Sequence, residues 1–159
     1  MKRFICLAIS IAFVLLLNLS IQAQKIPSDE KIINQLFSAW NSRDPDRLAN
    51  LFSEDAVYED VSAGQKNQGR NEVRKWAAGA FADIDSFKLE LVSSFAHNGR
   101  GVAEWVWSGT DKGVLKTGKS FSVRGVSIIE IRKGKVSNYK EYYDFAAVMR
   151  QLGLLPDQD

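Results

Sequence analysis

Phe121-Ser-Val-Arg-Gly-Val-Ser-Ile-Ile-Glu-Ile131 runs through Arg132-Lys-Gly134 into Lys135-Val-Ser-Asn-Tyr-Lys-Glu-Tyr-Tyr143. It then passes into Asp144-Phe-Ala-Ala-Val-Met-Arg-Gln-Leu-Gly153. The turn at Gly134 makes the first two stretches an antiparallel hairpin. Strand side chains alternate between faces, so Phe121, Val123, Gly125, Ser127, Ile129 and Ile131 share one face of the first strand. Tyr139, Glu141 and Tyr143 share a face of the second. A carboxylate between two tyrosines on a largely apolar strand pair suits a lined pocket better than a solid core.

Working back from this hairpin, residues 86–96 and 101–110 flank His97-Asn98-Gly99-Arg100, and Asn-Gly is a strong hairpin signal. Residues 111–118 turn the chain into the long strand. Ser28 caps a first helix with Asp29 and Glu30 at its positive end; Ile32, Ile33, Leu36, Phe37 and Trp40 form its apolar face. Asp44-Pro45 starts a short second helix. Residues 56–61 read as a short strand and residues 62–68 as a polar loop. Asn71 is the expected cap of a third helix, with Val73, Trp76, Ala77, Ala80 and Phe81 on its buried stripe. The predicted order is helix, helix, strand, helix, four strands and a short last helix, an α+β arrangement.

The N-terminus reads as a secretory signal over residues 1–23. Lys2 and Arg3 precede an apolar stretch from residue 4 to 17, and Ala23 offers a small residue before a cut at Gln24. No charge falls between Arg3 and Lys25, so a retained anchor is the alternative. The expected location is periplasmic or secreted, with no stable membrane anchor after cleavage. Removing Lys2 and Arg3 from 21 basic residues leaves 19, against 19 acidic. A balanced charge gives no footprint for nucleic acid. Cys6, the single cysteine, lies inside the signal, so residues 24–159 hold no disulfide, thiol nucleophile or thiolate metal site. His97 is the single histidine and sits in a turn, which leaves neither a zinc site nor a triad to build. No metal and no cofactor are expected.

Asn41-Ser-Arg-Asp-Pro-Asp-Arg-Leu48, Phe52-Ser-Glu-Asp-Ala-Val-Tyr-Glu-Asp60, Gly69-Arg-Asn-Glu-Val73, the 118–134 segment and Tyr142-Tyr-Asp-Phe with Arg150-Gln-Leu-Gly153 follow one another in a recognisable order. Together they resemble the SnoaL-like ester and polyketide cyclases, within the nuclear transport factor two-like superfamily. The resemblance covers nearly all of residues 28–155. It implies a cone: a curved antiparallel sheet packed on three N-terminal helices, with a short C-terminal helix, often dimeric through the sheet. It also implies cofactor-free chemistry in which one pocket aspartate serves as general acid/base for ring closure. Glu141 matches that aspartate, and Ser127 replaces an assisting histidine. In the related ketosteroid isomerases the base aspartate matches Asp60, while their two oxyanion donors fall at Leu36 and Ser127. In the related limonene epoxide hydrolases an Arg–Asp pair falls where this chain has Trp105 and Trp107, and a tyrosine matches Tyr58.

The candidate catalytic residues are therefore Glu141 and Asp60, with Tyr58, Trp105, Trp107 and Ser127 as substrate-binding residues. Trp105, Trp107, Ser127 and Glu141 are expected to face one cavity, with Tyr58 and Asp60 near its mouth. A carboxyl beside tyrosines in an apolar cavity has its pKa raised toward working pH. The alternatives are plain. The tryptophans can be core, Glu141 a surface residue paired with Lys140 or Arg132, and Tyr58 and Asp60 a solvated loop edge. Asp144 suits a helix cap better than a second acid. Two functions follow: a cofactor-free cyclase or isomerase acting on a small apolar, cyclic or polyketide-like molecule, or a non-catalytic binding or dimerising protein of the same fold.

Overall fold

The computed structural model describes residues 28–113 and 115–156; the expected signal over residues 1–23 and its expected cut at Gln24 lie outside the described residues. Ser28 Oγ accepts from the Lys31 N–H and opens α1 (Asp29–Ser42), which buries Ile32, Ile33, Leu36, Phe37, Ala39 and Trp40. Asp44 accepts from the N–H groups of Asp46 and Arg47 at 3.0 Å each and opens α2 (Pro45–Ala49). The first strand, β1 (Phe52–Asp60), starts four residues earlier than the sequence suggests.

Two local expectations are corrected. The polar stretch 62–68 is not all loop: Gly64, at φ 69°, turns the chain into β2 (Gln65–Gln68), which pairs antiparallel with β1. Asn71 does not cap α3 (Arg70–Asp83); Gly69 does, at φ 89°. The Gly69 N–H is tied to the Ala56 carbonyl at 2.7 Å, so the chain leaves the sheet there and helical geometry begins at the next residue.

The remaining strands are β3 (Ile84–His97), β4 (Arg100–Asp111), β5 (Ser120–Arg132) and β6 (Lys135–Tyr143), followed by α4 (Phe145–Gln151). Both long hairpins turn on two residues with positive φ: Asn98 and Gly99 at 49° and 76°, Lys133 and Gly134 at 51° and 73°. That is the type I′ geometry whose twist suits a two-residue hairpin. Asp144 Oδ1 accepts from the Ala147 N–H at 2.7 Å and caps α4.

The strands order as β2-β1-β6-β5-β4-β3 in one curved sheet. Four of its five pairs are antiparallel. The pair β1·β6 is parallel, because the meander from β3 to β6 brings the chain back beside β1 running the same way. Register shifts in β1/β6, β3/β4 and β5/β6 bend the sheet. Strand β5 alternates buried and exposed as its sequence requires. The inner face packs on α1 and α3, and α4 covers Phe121 and Val123 near the open end.

Candidate functional site

Register assembles the site. Tyr139, Glu141 and Tyr143 face inward from the central strand β6. On one side the parallel pairing sets Tyr58 opposite Tyr139 and Asp60 opposite Glu141. On the other side the antiparallel pairing sets Ser127 opposite Glu141 and Gly125 opposite Tyr143. Trp105 on β4 then lies opposite Gly125, and Trp107 opposite Val123. Asp60, Glu141 and Ser127 thus form one row across three strands.

The row carries two carboxyls with different surroundings. Tyr58 Oη donates to Glu141 Oε1 at 2.5 Å, and the Tyr58 and Tyr139 rings stack at 5.0 Å and 11°. Tyr143 Oη donates to Asp60 Oδ2 at 2.8 Å, and the Ala63 N–H donates to Asp60 Oδ1 at 2.9 Å. Burial, and then the charge of Asp60 beside it, push Glu141 up to about 8, against the opposing hydrogen bonds of Tyr58 and Tyr139. Burial raises Asp60 above the ordinary carboxylate value as well; hydrogen bonds from Ala63, Tyr143 and Ser62 favour its charged form and oppose that rise without cancelling it. Burial, with Glu141 nearby, raises Tyr58 and Tyr139 well above 10, so both remain hydroxyl donors. At neutral pH the coupled pair therefore keeps a proton on Glu141.

These groups open onto a cavity of about 380 Å³. Glu141, Asp60, Tyr58, Trp105 and Trp107 all line it. Ser127 does not. It is fully buried behind Trp105, accepting from the indole N–H at 2.8 Å and donating to Tyr139 Oη at 2.6 Å. Tyr58 and Asp60 are 2% and 3% exposed, so they are buried side chains and not a solvated loop edge. The surface alternative for Glu141 finds no support in the contacts of its neighbours. Lys140 pairs with Glu59 and Arg132 with Glu130, from the other parity of their strands.

Sequence reasoning missed part of the wall. Trp40 and Trp76 read as helix core, yet both line the cavity. Together with Trp107 they carry buried indole N–H groups that have no acceptor among the described residues. The sequence places Asp111 at the start of a turn. It is 2% exposed, lines the cavity, and accepts from the Thr117 N–H at 2.6 Å and the Thr117 hydroxyl at 2.8 Å. Burial opposes its charge, but these donors and the Leu115 N–H prevail and lower its pKa. No period or motif marks it; only the folded turn reveals its role.

Gly125 is what admits Trp105. A Cβ at position 125 would lie 2.3 Å from the Trp105 Cη2 atom. Gly125→Ala is expected to destabilise the protein by about 1–3 kcal/mol through overpacking. Urea unfolding measures this, and an unchanged midpoint would show that the indole can move aside.

The folded chain is a cone with an acid pair on an aromatic wall. It belongs to the SnoaL-like domain family, whose model matches residues 33–139. Solved structures agree. A hypothetical protein with a ketosteroid isomerase-like fold from Catenulispora acidiphila, in complex with trimethylamine, is 25% identical. That alignment covers 80% of this chain and 96% of that one, with a TM-score of 0.72. A putative SnoaL-like polyketide cyclase from Shewanella putrefaciens is 14% identical, over 82% of this chain and all of that one, with a TM-score of 0.71. TsrD from Streptomyces laurentii is 22% identical, over 79% and 95%, with a TM-score of 0.70.

Proposed function

We propose that this chain is a cofactor-free acid/base enzyme of the cyclase or isomerase type, acting on a small ring-forming or cyclic carbonyl compound. The observation that carries the reading is the pairing of two adjacent carboxyls in unlike surroundings on one apolar cavity. Separated protonation states assign an acid and a base. Asp60, whose charge is held by three donors, takes a proton from carbon beside a carbonyl. Glu141, protonated at neutral pH, gives its proton to the carbonyl oxygen as negative charge develops there. In a ring closure the deprotonated carbon attacks a second carbonyl carbon: the carbon–carbon bond forms as that C=O π bond breaks, and its oxygen takes the Glu141 proton and stays in the product as a hydroxyl. Proton exchange with water then resets both groups. The aromatic walls fit a flat apolar body, and the indole N–H groups of Trp40, Trp76 and Trp107 suit a ligand bearing oxygen acceptors.

The test is solvent deuterium incorporation into the compound that co-purifies with the protein from its source, identified by native mass spectrometry. Incorporation at the carbon beside the carbonyl is expected, with loss in Asp60→Asn. Retained exchange in that variant sinks the base assignment.

One observation favours a second reading, a non-catalytic binding module. Ser127, which stands where the cyclases carry an assisting histidine, turns to Trp105 and Tyr139 and leaves the cavity without that partner. In that case Trp107→Ala weakens ligand binding while Glu141→Gln barely matters.

Export and self-association complete the proposal. The secreted form starts near Gln24, and N-terminal sequencing of the native protein checks this; a chain starting at Met1 contradicts it. The homodimer forms through the outer face of the sheet, where Phe95, Val102 and Ile128 lie in register across three strands. Phe95 is 69% and Ile128 50% exposed. Light scattering is expected to give a dimer that Ile128→Lys converts to monomer. A monomeric parent contradicts the idea.

A further inference from the structure

In a parallel ladder, a residue that donates its N–H to one carbonyl accepts from the N–H two residues further along the same partner strand. Val61 donates to the Glu141 carbonyl at 3.1 Å, so regular pairing would give the Val61 carbonyl the Tyr143 N–H. The chain breaks that pattern. The Val61 carbonyl accepts from the Gly64 N–H at 3.4 Å, where the chain turns toward β2. The Ser62 hydroxyl takes over the missing rung: it accepts from the Tyr143 N–H and donates to the Tyr143 carbonyl, each at 2.8 Å. A hydroxyl fills both roles because it donates and accepts at once. Both bond directions are fixed, since a backbone N–H only donates and a carbonyl only accepts. This clasp joins the two segments that hold Asp60. Tyr143 Oη donates to Asp60 Oδ2 at 2.8 Å from the end of β6, and the Ala63 N–H donates to Oδ1 at 2.9 Å from the residue after Ser62.

We infer that Ser62 is a positioning residue: its hydroxyl clasps the end of β6 to the turn after β1, and so holds Tyr143 Oη and the Ala63 N–H on the two oxygens of Asp60. The inference rests on the reading of Asp60 as the base. A donor on each oxygen favours the charged carboxyl that a base needs. The ring of Tyr143 is itself held by Trp105 and Trp107, at centroid distances of 6.1 and 5.7 Å, so the clasp on its backbone fixes where its hydroxyl points. The other titratable groups on this side of the sheet are Glu141 on β6 and Tyr58 on β1, with Lys75 and Asp83 on α3 and Asp111 on β4 along the cavity. The Lys75 ammonium is engaged by Glu72 at 2.7 Å. On β2, Gln65 lies opposite Asp60, and Lys66 lies opposite Glu59 on the other face.

The test is the titration of Asp60, followed by carbon-13 NMR of its side-chain carboxyl and assigned by its absence in Asp60→Asn. It is read in the Glu141→Gln protein, so that the neighbouring carboxyl does not titrate with it. Ser62→Ala is expected to raise the midpoint by about one pH unit, and Ser62→Thr, which keeps the hydroxyl, to leave it near its starting value. Tyr143→Phe removes one donor but keeps the backbone clasp, and it too raises the midpoint. Added to Tyr143→Phe, Ser62→Ala has less left to disturb and raises the midpoint by less than it does alone. A Ser62 that only stabilises the turn predicts easier unfolding with the Asp60 titration unmoved. An unmoved titration in Ser62→Ala, an equal rise in Ser62→Thr, or full additivity with Tyr143→Phe overturns the inference. If Ser62→Ala does not fold, Ser62→Cys, whose thiol is a weak donor and acceptor in nearly the same shape, is read the same way. Deuterium exchange retained in Asp60→Asn removes the base reading but leaves these titrations standing.

Discussion

Glu141→Gln is expected to lower turnover by roughly 10²–10⁴-fold while leaving ligand affinity near that of the parent. The amide oxygen of glutamine still accepts from Tyr58, which donates to Glu141 Oε1 at 2.5 Å in the parent. The shape of the row is kept, and so is a hydrogen bond to the ligand oxygen. What is lost is a transferable proton. Binding rests mainly on the aromatic wall at Trp40, Trp76, Trp105 and Trp107, which the substitution does not touch. The measurement is kcat and Kd for parent and variant with the co-purifying compound. Unchanged turnover removes the acid role; a parent without turnover, whose affinity falls in Trp107→Ala and not in Glu141→Gln, supports the binding-module reading instead.

The same substitution is expected to change how stability depends on pH. Glu141 titrates near 8 when folded and near the ordinary 4.5 when unfolded. Between those values the folded chain holds a proton that the unfolded chain has released. Stability therefore falls as pH rises from about 4.5, and the full penalty is present above about 8. A difference of this size is worth on the order of a few kcal/mol. Glutamine carries no charge at any pH and escapes the penalty. Denaturant unfolding at pH 5 is expected to give similar stabilities for parent and Glu141→Gln. At pH 9 the variant is expected to be more stable by a few kcal/mol. Parallel stabilities across this range would mean that the carboxyl ionises without cost.

Much of the fold was legible because its signals are local. The alternation from Phe121 to Ile131, the turns at Asn98-Gly99 and Lys133-Gly134, and the caps at Ser28, Asp44 and Asp144 depend on neighbours a few residues apart. Strand β2 was not legible. Its Gln65-Lys-Asn-Gln sequence has no apolar face, and its strand character comes from backbone pairing to β1. The cap of α3 was misplaced for a similar reason: Gly69 is fixed by a hydrogen bond to Ala56, which a propensity argument does not see.

The candidate site shows the same division. Parity along β6 placed Tyr139, Glu141 and Tyr143 on one face. The partnership of Glu141 with Tyr58, 83 residues away, depends on the parallel register of β1 against β6, which no local pattern specifies. Ser127 shares a face with its cavity-lining neighbours, so parity alone pointed it at the ligand. The indole of Trp105, lying over Gly125, screens it from the cavity.

The most direct test of the account is the protonation state of Glu141 in the folded parent protein. Its carboxyl resonance, followed from pH 4 to pH 10, is predicted to titrate with a midpoint near 8, leaving the group protonated at neutral pH. A midpoint near 4.5, the ordinary value for a solvated glutamate, would contradict the assignment of Glu141 as the acid and Asp60 as the base.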